Sequence, residues 1–99
     1  MLYIIHAPDK ADSKERRLAT RPRHLDYWGK NPPLKVILAG PMIDEPTGDM
    51  KGSMLIVEAD SLDQVKQAAN ADPYWTDGVF ERMDITAVRL PLGILAEKL

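Results

Sequence analysis

The chain has 99 residues, 44% hydrophobic and 28% charged, with a formal net charge of −2. Against the ~100–200 residues of a usual domain this reads as one domain, 1–99, and the composition excludes a disordered chain or a basic nucleic-acid binder. No apolar run approaches the ~20 residues of a bilayer span, and the start Met-Leu-Tyr-Ile-Ile lacks the basic n-region and cleavage site of a signal peptide, so a cytoplasmic protein is expected. There is no cysteine, which excludes a disulfide scaffold, a thiolate nucleophile and a cysteine-ligated zinc.

Leu2 to Ala7 is a short apolar run ended by Pro8, Asp9 and Lys10, and predicts a first strand. Asp12 and Glu15 then stand at capping-box spacing, with Asp12 as N-cap. Pro22 lacks an N–H and clashes with the preceding turn, so two helical pieces are expected, about 13–19 and 21–29, ended by Gly29 and Asn31-Pro32-Pro33. Lys35 to Ala39 predicts a second strand. Turn residues crowd the stretch from Gly40 to Gly52, which reads as a long loop. Met54 to Ala59 predicts the third strand. Ser61 and Gln64 form a second capping box before a helix with Leu62, Val65, Ala68 and Ala69 at helical spacing. Asp72-Pro73 opens a short helix that ends near Gly78, and Ile85 to Leu90 is the last strand.

The order βαββαβ is that of a ferredoxin-like α+β fold with a four-stranded antiparallel sheet. Its strands are apolar on both faces: Tyr3, Ile5 and Ala7 alternate with Leu2 and Ile4, and Leu55 and Val57 with Met54 and Ile56. Helices can cover only one side of such a sheet. A homodimer packed sheet against sheet is the expected cover for the other, and the tail Leu92 to Leu99 folded over that face is the alternative.

Few residues can carry chemistry. His24 lies at the border of the stripe formed by Leu18, Pro22, Leu25 and Trp28, with Arg21 one turn before it and Arg17 along the same edge. An imidazole there can exchange a proton near neutrality, and a nearby guanidinium can hold an anion. A boundary histidine half covered by Trp28 is the plainer explanation on spacing alone. Asp72 can orient an imidazole, yet an aspartate before proline is already explained as an N-cap. Ser53 can hydrogen-bond a substrate oxygen or simply end a Gly-Ser turn. His6 continues the Leu2, Ile4 face and can line a pocket at the sheet end or sit at the dimer seam. Tyr74, Trp75 and Phe80 read as core, with one of them available as a pocket wall. Two histidines without ligand spacing make no persuasive metal site. The basic stretch Lys14, Arg16, Arg17, Arg21, Arg23 fits a solvated helix face or a single small anion better than nucleic acid.

The segments LYIIHAPDKADSKERRLATRPRHL, ILAGPM, GSMLIVEADS and ADPYWTDGVFE, in this order and at these separations, resemble the YCII-related (YciI-like) family of small bacterial proteins from Leu2 to about Val88. The resemblance implies a ferredoxin-like fold paired as a dimeric α+β barrel. It also implies an active-site dyad falling on His24 and Asp72, with Ser53 and Arg21 beside it. The loop Met42 to Lys51 looks short, and Gly29 to Pro33 replaces a smoother helix end, so substrate identity does not carry over. The expected activity is cofactor-independent proton transfer on a small, acidic or anionic phenol, enol or lactone, as a lyase or isomerase. His24 and Asp72 would be catalytic, with Arg21, Ser53, His6 and Tyr74 binding substrate. A non-catalytic ligand-binding or regulatory module of the same fold is the alternative.

Overall fold

Apolar residues on alternate positions give the first strand two usable faces, and the fold treats them differently. In the computed structural model, which describes residues 1–99, β1 (Leu2–Pro8) turns Tyr3, Ile5 and Ala7 into the core and leaves Leu2, Ile4 and His6 half-buried opposite. There follow α1 (Lys14–Gly29), β2 (Lys35–Ile43), β3 (Met50–Glu58), α2 (Leu62–Asn70), the single turn α3 (Pro73–Thr76) and β4 (Asp84–Val88). The strands form one antiparallel sheet in the order β2-β3-β1-β4, the expected ferredoxin-like α+β arrangement.

Register places Ile5 opposite both Leu55 and Ile85, so one layer of the core runs across three strands. Trp28 from α1 and Val65, Ala68 and Ala69 from α2 close over Tyr3, Ile5, Leu55 and Val57. Each fully buried aliphatic side chain in that layer contributes roughly 1.5–3 kcal/mol. A smaller cluster of Ala7, Tyr74, Val79 and Phe80 sits beside it, under α3.

The second capping box forms with its return bond shifted by one residue, from the N-cap Ser61 to Asp60. Ser61 Oγ accepts the Gln64 N–H at 3.3 Å, and Gln64 Oε1 accepts the Asp60 N–H at 2.8 Å. The first does not. Ser13 is the N-cap of α1, and Asp12 takes a left-handed backbone with φ of 59°, which aspartate tolerates better than most residues.

Nor does α1 break at Pro22; one helix runs through it. Pro22 and Leu18, four residues earlier, both lie on the solvent side, so the carbonyl that loses its donor faces water. The inner face of the helix is a different stripe from the apolar one: Ser13, Arg17, Thr20, His24 and Trp28 are buried, while Leu18 and Leu25 stay 51% and 49% exposed. Partners from other elements outweigh hydropathy here, because each inward polar group from Arg17 onward has a hydrogen bond waiting.

The expected long loop is also shorter. β2 continues to Ile43 and β3 starts at Met50, leaving six residues between them. The turn is closed by Asp44 N–H to the Asp49 carbonyl at 2.8 Å and Gly48 N–H to the Asp44 carbonyl at 2.7 Å. Pro41 is tolerated because β2 is an edge strand. Gly52 and Ser53 accordingly lie inside β3. A Cβ at Gly52 would come within 2.8 Å of the Ala7 carbonyl oxygen, so the glycine permits the close approach of β3 to β1. β4 ends at Val88, two residues short of the expected limit.

The tail meets the outer sheet face only at one end, and Leu38 and Met54 on that face stay 54% and 41% exposed. Leu92 and Ile94 are 91% and 95% exposed, and Leu90, Pro91, Ala96 and Leu99 border a hollow at the sheet end with Leu2 and Val88.

Candidate active site

The inner stripe of α1 aims four hydrogen-bonding side chains, Arg17, Thr20, His24 and Trp28, at groups far away in sequence. His24 and Trp28, one turn apart, both reach Asp72 at the start of α3. Asp72 caps that helix by accepting the Tyr74 N–H at 2.9 Å, with Pro73 in the first turn. Its carboxylate also receives the Trp28 indole N–H at 2.9 Å and lies 2.8 and 3.1 Å from His24 Nδ1. The carboxylate already takes two N–H donors, so it acts as acceptor and Nδ1 carries the hydrogen. Nε2 is then the imidazole nitrogen with a lone pair. Asp72 is 1% and His24 9% exposed.

Tyr74 fixes the ring from its face. The two rings stack with centroids 4.0 Å apart and planes 21° from parallel. Tyr74 in turn meets the edge of Phe80 at 5.4 Å. Burial pushes the Tyr74 hydroxyl above the ordinary phenol range, an effect opposed by Arg17 and Arg21. The expectation that Tyr74, Trp75 and Phe80 are all core fails at Trp75, which is 37% exposed.

Two turns before His24, Arg17 is 2% exposed. Its Nη1 donates to Asp9 Oδ1 at 2.8 Å and its Nη2 to Ser53 Oγ at 2.7 Å, while Nε has no partner. The guanidinium also lies over the Tyr74 ring, 4.4 Å from its centroid. Burial raises the Asp9 carboxyl above its ordinary range, and Arg17 pulls it back. Because Ser53 Oγ accepts from Arg17, its own hydrogen is free to donate elsewhere.

These groups border one cleft of about 230 Å³ between α1, the β2–β3 hairpin and Tyr74. Arg17, Arg21, His24, Ser53 and Tyr74 all line it, with Pro41 and other apolar residues, and no Asp or Glu does. The structure therefore brings together five of the six residues singled out from sequence, with Asp72 directly behind His24. His6 is the exception. It lies on the outer sheet face with Nδ1 3.6 Å from Asp84 and takes no part in the cleft. A more open depression of about 550 Å³, bordered by Tyr27, Lys35, Glu58 and Gln64, contains none of these groups. No group of three or more His, Asp or Glu side chains is gathered at metal-binding distance.

Arg17 and Trp28 are the site residues that hydropathy misses. The signal was present in the spacing 13, 17, 20, 24, 28, a polar helical face that also contains a tryptophan.

Residues 1–89 match the YCII-related domain family. The chain is 40% identical over 91 residues to protein YciI of Escherichia coli, covering 86% of this chain and 93% of that one. An uncharacterised protein of Haemophilus influenzae is 33% identical over 89 residues, covering 81% and 88%. Among solved structures, the 5-chloro-2-hydroxyhydroquinone dehydrochlorinase TftG from Burkholderia phenoliruptrix, in complex with 2,5-dihydroxybenzoquinone, superposes with a TM-score of 0.77. It is 31% identical, over 89% of this chain and 93% of that chain. The chain belongs to the YCII-related family.

Proposed function

We propose that the cleft catalyses proton transfer on a small planar phenol, enol or lactone, leading to elimination or isomerisation without a cofactor. The observation that carries this reading is His24 Nδ1 held on the buried Asp72 carboxylate, which leaves Nε2 to act as a base. In an elimination from the keto tautomer, where the leaving group sits on a saturated ring carbon, Nε2 takes a proton from a conjugated hydroxyl or an adjacent carbon. The released electron pair forms a double bond, and the leaving group departs with its own pair. The imidazolium, stabilised by Asp72, then gives its proton to the departing X⁻ or to water, so the net change is loss of HX and Nε2 is a base again. Arg21 and the Ser53 hydroxyl face the developing oxyanion. Proton transfer of this kind supplies about 10²–10⁴-fold, and positioning between Tyr74 and Pro41 in a cleft with no carboxylate supplies more. The likeness to a dehydrochlorinase with a bound dihydroxyquinone supports a ring substrate of this class.

The same reading includes a homodimer. Leu2, Ile4, Ile56 and Val88 share the outer sheet face with Leu38 and Met54, which are 54% and 41% exposed, and a second copy would cover them.

The test supplies 5-chloro-2-hydroxyhydroquinone and a panel of related phenols, enols and lactones, and measures chloride release or product. It also measures binding of 2,5-dihydroxybenzoquinone by calorimetry. The proposal expects binding and turnover by the natural chain and loss of turnover in His24→Gln. Saturable binding without consumption across the panel would favour a binding module, and equal turnover by His24→Gln would remove the base.

A further inference from the structure

Asp72 has more partners than a helix cap requires. The Tyr74 N–H alone completes the cap. The Trp28 indole N–H, 2.9 Å from Oδ2, is a further donor to the carboxylate that also faces His24. A tryptophan kept only to fill the core under α2 would not need its nitrogen there. We propose that Trp28 is a positioning residue for His24, acting through Asp72: its N–H takes up part of the carboxylate charge, so the carboxylate orients the imidazole while holding its proton less tightly than an unshared carboxylate would. This rests on the reading of His24 as a base.

The physical conflict is simple. A buried carboxylate facing an imidazole and nothing else stabilises the imidazolium, and a histidine that stays protonated cannot accept a proton. Sharing the carboxylate among three N–H donors weakens its hold on the proton while keeping the ring direction fixed. The surroundings leave this task to Trp28. From α3 the groups facing His24 are Asp72 and Tyr74; from α1, Arg17 and Arg21 line the same cleft; from β2 and β3 the cleft receives only the uncharged Ser53 and apolar residues. Arg17 is committed to Asp9 and Ser53. Trp28 Nε1 is thus the one side-chain donor besides His24 placed on the carboxylate, and its position four residues after His24 brings both to the same group, Trp28 on Oδ2 and His24 against both oxygens.

The test needs no substrate. Diethyl pyrocarbonate acylates neutral imidazole, and mass spectrometry of the full chain follows His24 and His6 separately across pH. In Trp28→Phe, which keeps an aromatic ring and loses the N–H, the reactive form of His24 is expected to emerge at higher pH. Its modification rate at mildly acidic pH should fall about three- to tenfold, the effect of losing one hydrogen bond of ordinary net strength. His6, on the opposite sheet face, should be unchanged. An unchanged or lowered midpoint for His24 in a folded Trp28→Phe overturns the proposal. A second measurement covers a variant that does not fold. In Trp75→Phe only the Trp28 indole remains, and its N–H proton resonance should move with the same midpoint as His24 modification; a resonance that ignores this midpoint also overturns the proposal. Failure of the base assignment would show separately, as turnover that survives His24→Gln.

Discussion

His24 Nδ1 and Asp72 Oδ1 lie 2.8 Å apart although 48 residues separate them in the chain. The contact requires α1 to turn a polar stripe inward and α3 to start where that stripe ends. Asp72 therefore serves two purposes, as the N-cap of α3 and as the acceptor for His24, and the two are compatible because capping points the carboxylate along a fixed direction.

The two purposes separate in Asp72→Asn. Asparagine caps almost as well as aspartate, so the cap itself changes by only a few tenths of a kcal/mol. Its amide, however, brings one oxygen and one NH2 to a site that offers several N–H donors. His24 then has to accept at Nδ1, which moves its hydrogen to Nε2 and removes the base. Turnover should fall on the order of 10³–10⁴-fold, far more than stability does. Parallel rate and denaturation measurements check this, and a rate loss no larger than the loss of folded protein would count against the dyad.

Arg17→Met should be the costliest single change near the cleft. It leaves Asp9 buried without its cation, at a cost of about 3–5 kcal/mol. The pH dependence has a defined sign. Burial already places the Asp9 carboxyl above its ordinary range, and Arg17 is the group pulling it down. Removing Arg17 raises it further. A carboxyl raised in the folded state favours the fold when protonated, so its contribution is present at low pH and lost as pH rises through the folded value. The gap in unfolding free energy between the natural chain and Arg17→Met should therefore narrow from pH 7 to pH 5. A gap that widens on acidification contradicts the assignment.

Much of this arrangement is legible in the sequence, and the exceptions share a cause. Strand alternation, the Ser61–Gln64 box and the Asp72-Pro73 start follow from local rules, and local rules sufficed for the ferredoxin-like order. Pro22 misleads because its penalty depends on whether the orphaned carbonyl is wet, a tertiary property. Leu18 and Leu25 mislead because Asp9 just after β1, Ser53 in β3 and Asp72 and Asp77 at the two ends of α3 reward burial of Arg17, Thr20 and His24 instead. His6 shares a residue type with His24 but sits on the other face of β1, and strand period alone places it there. Resemblance supplied His24 and Asp72; spacing alone left both with plainer explanations. Neither pointed to Trp28 as a donor, since an indole N–H is indifferent to hydropathy.

Pro22→Ala follows from the uninterrupted helix. The substitution restores a donor for the Leu18 carbonyl on the exposed side of α1 and removes the ring clash. It should stabilise the chain by roughly 1–3 kcal/mol, less than the full proline penalty because the unfolded chain also gains freedom. Thermal denaturation measures it, and a loss of stability would mean that Pro22 is needed for the course of α1.

Met54→Lys tests the proposed pairing. Met54 is opposite His6 in the register and 41% exposed on the outer sheet face. A lysine there is harmless in a monomer and costly in an apolar sheet-to-sheet interface. Sedimentation should show the natural chain at twice its monomer mass and the variant shifted toward monomer. A natural chain that sediments as a monomer at high concentration contradicts the dimer.

The central claim is that the imidazole of His24, held by Asp72, meets a ring substrate in the cleft. Its most direct test is an NMR titration of the histidine ring resonances with 2,5-dihydroxybenzoquinone, in the natural chain and in Asp72→Asn. Saturable shifts of the His24 resonances, with His6 unmoved and a weaker response in the variant, are the predicted result. Binding that leaves the His24 resonances in place would contradict the claim.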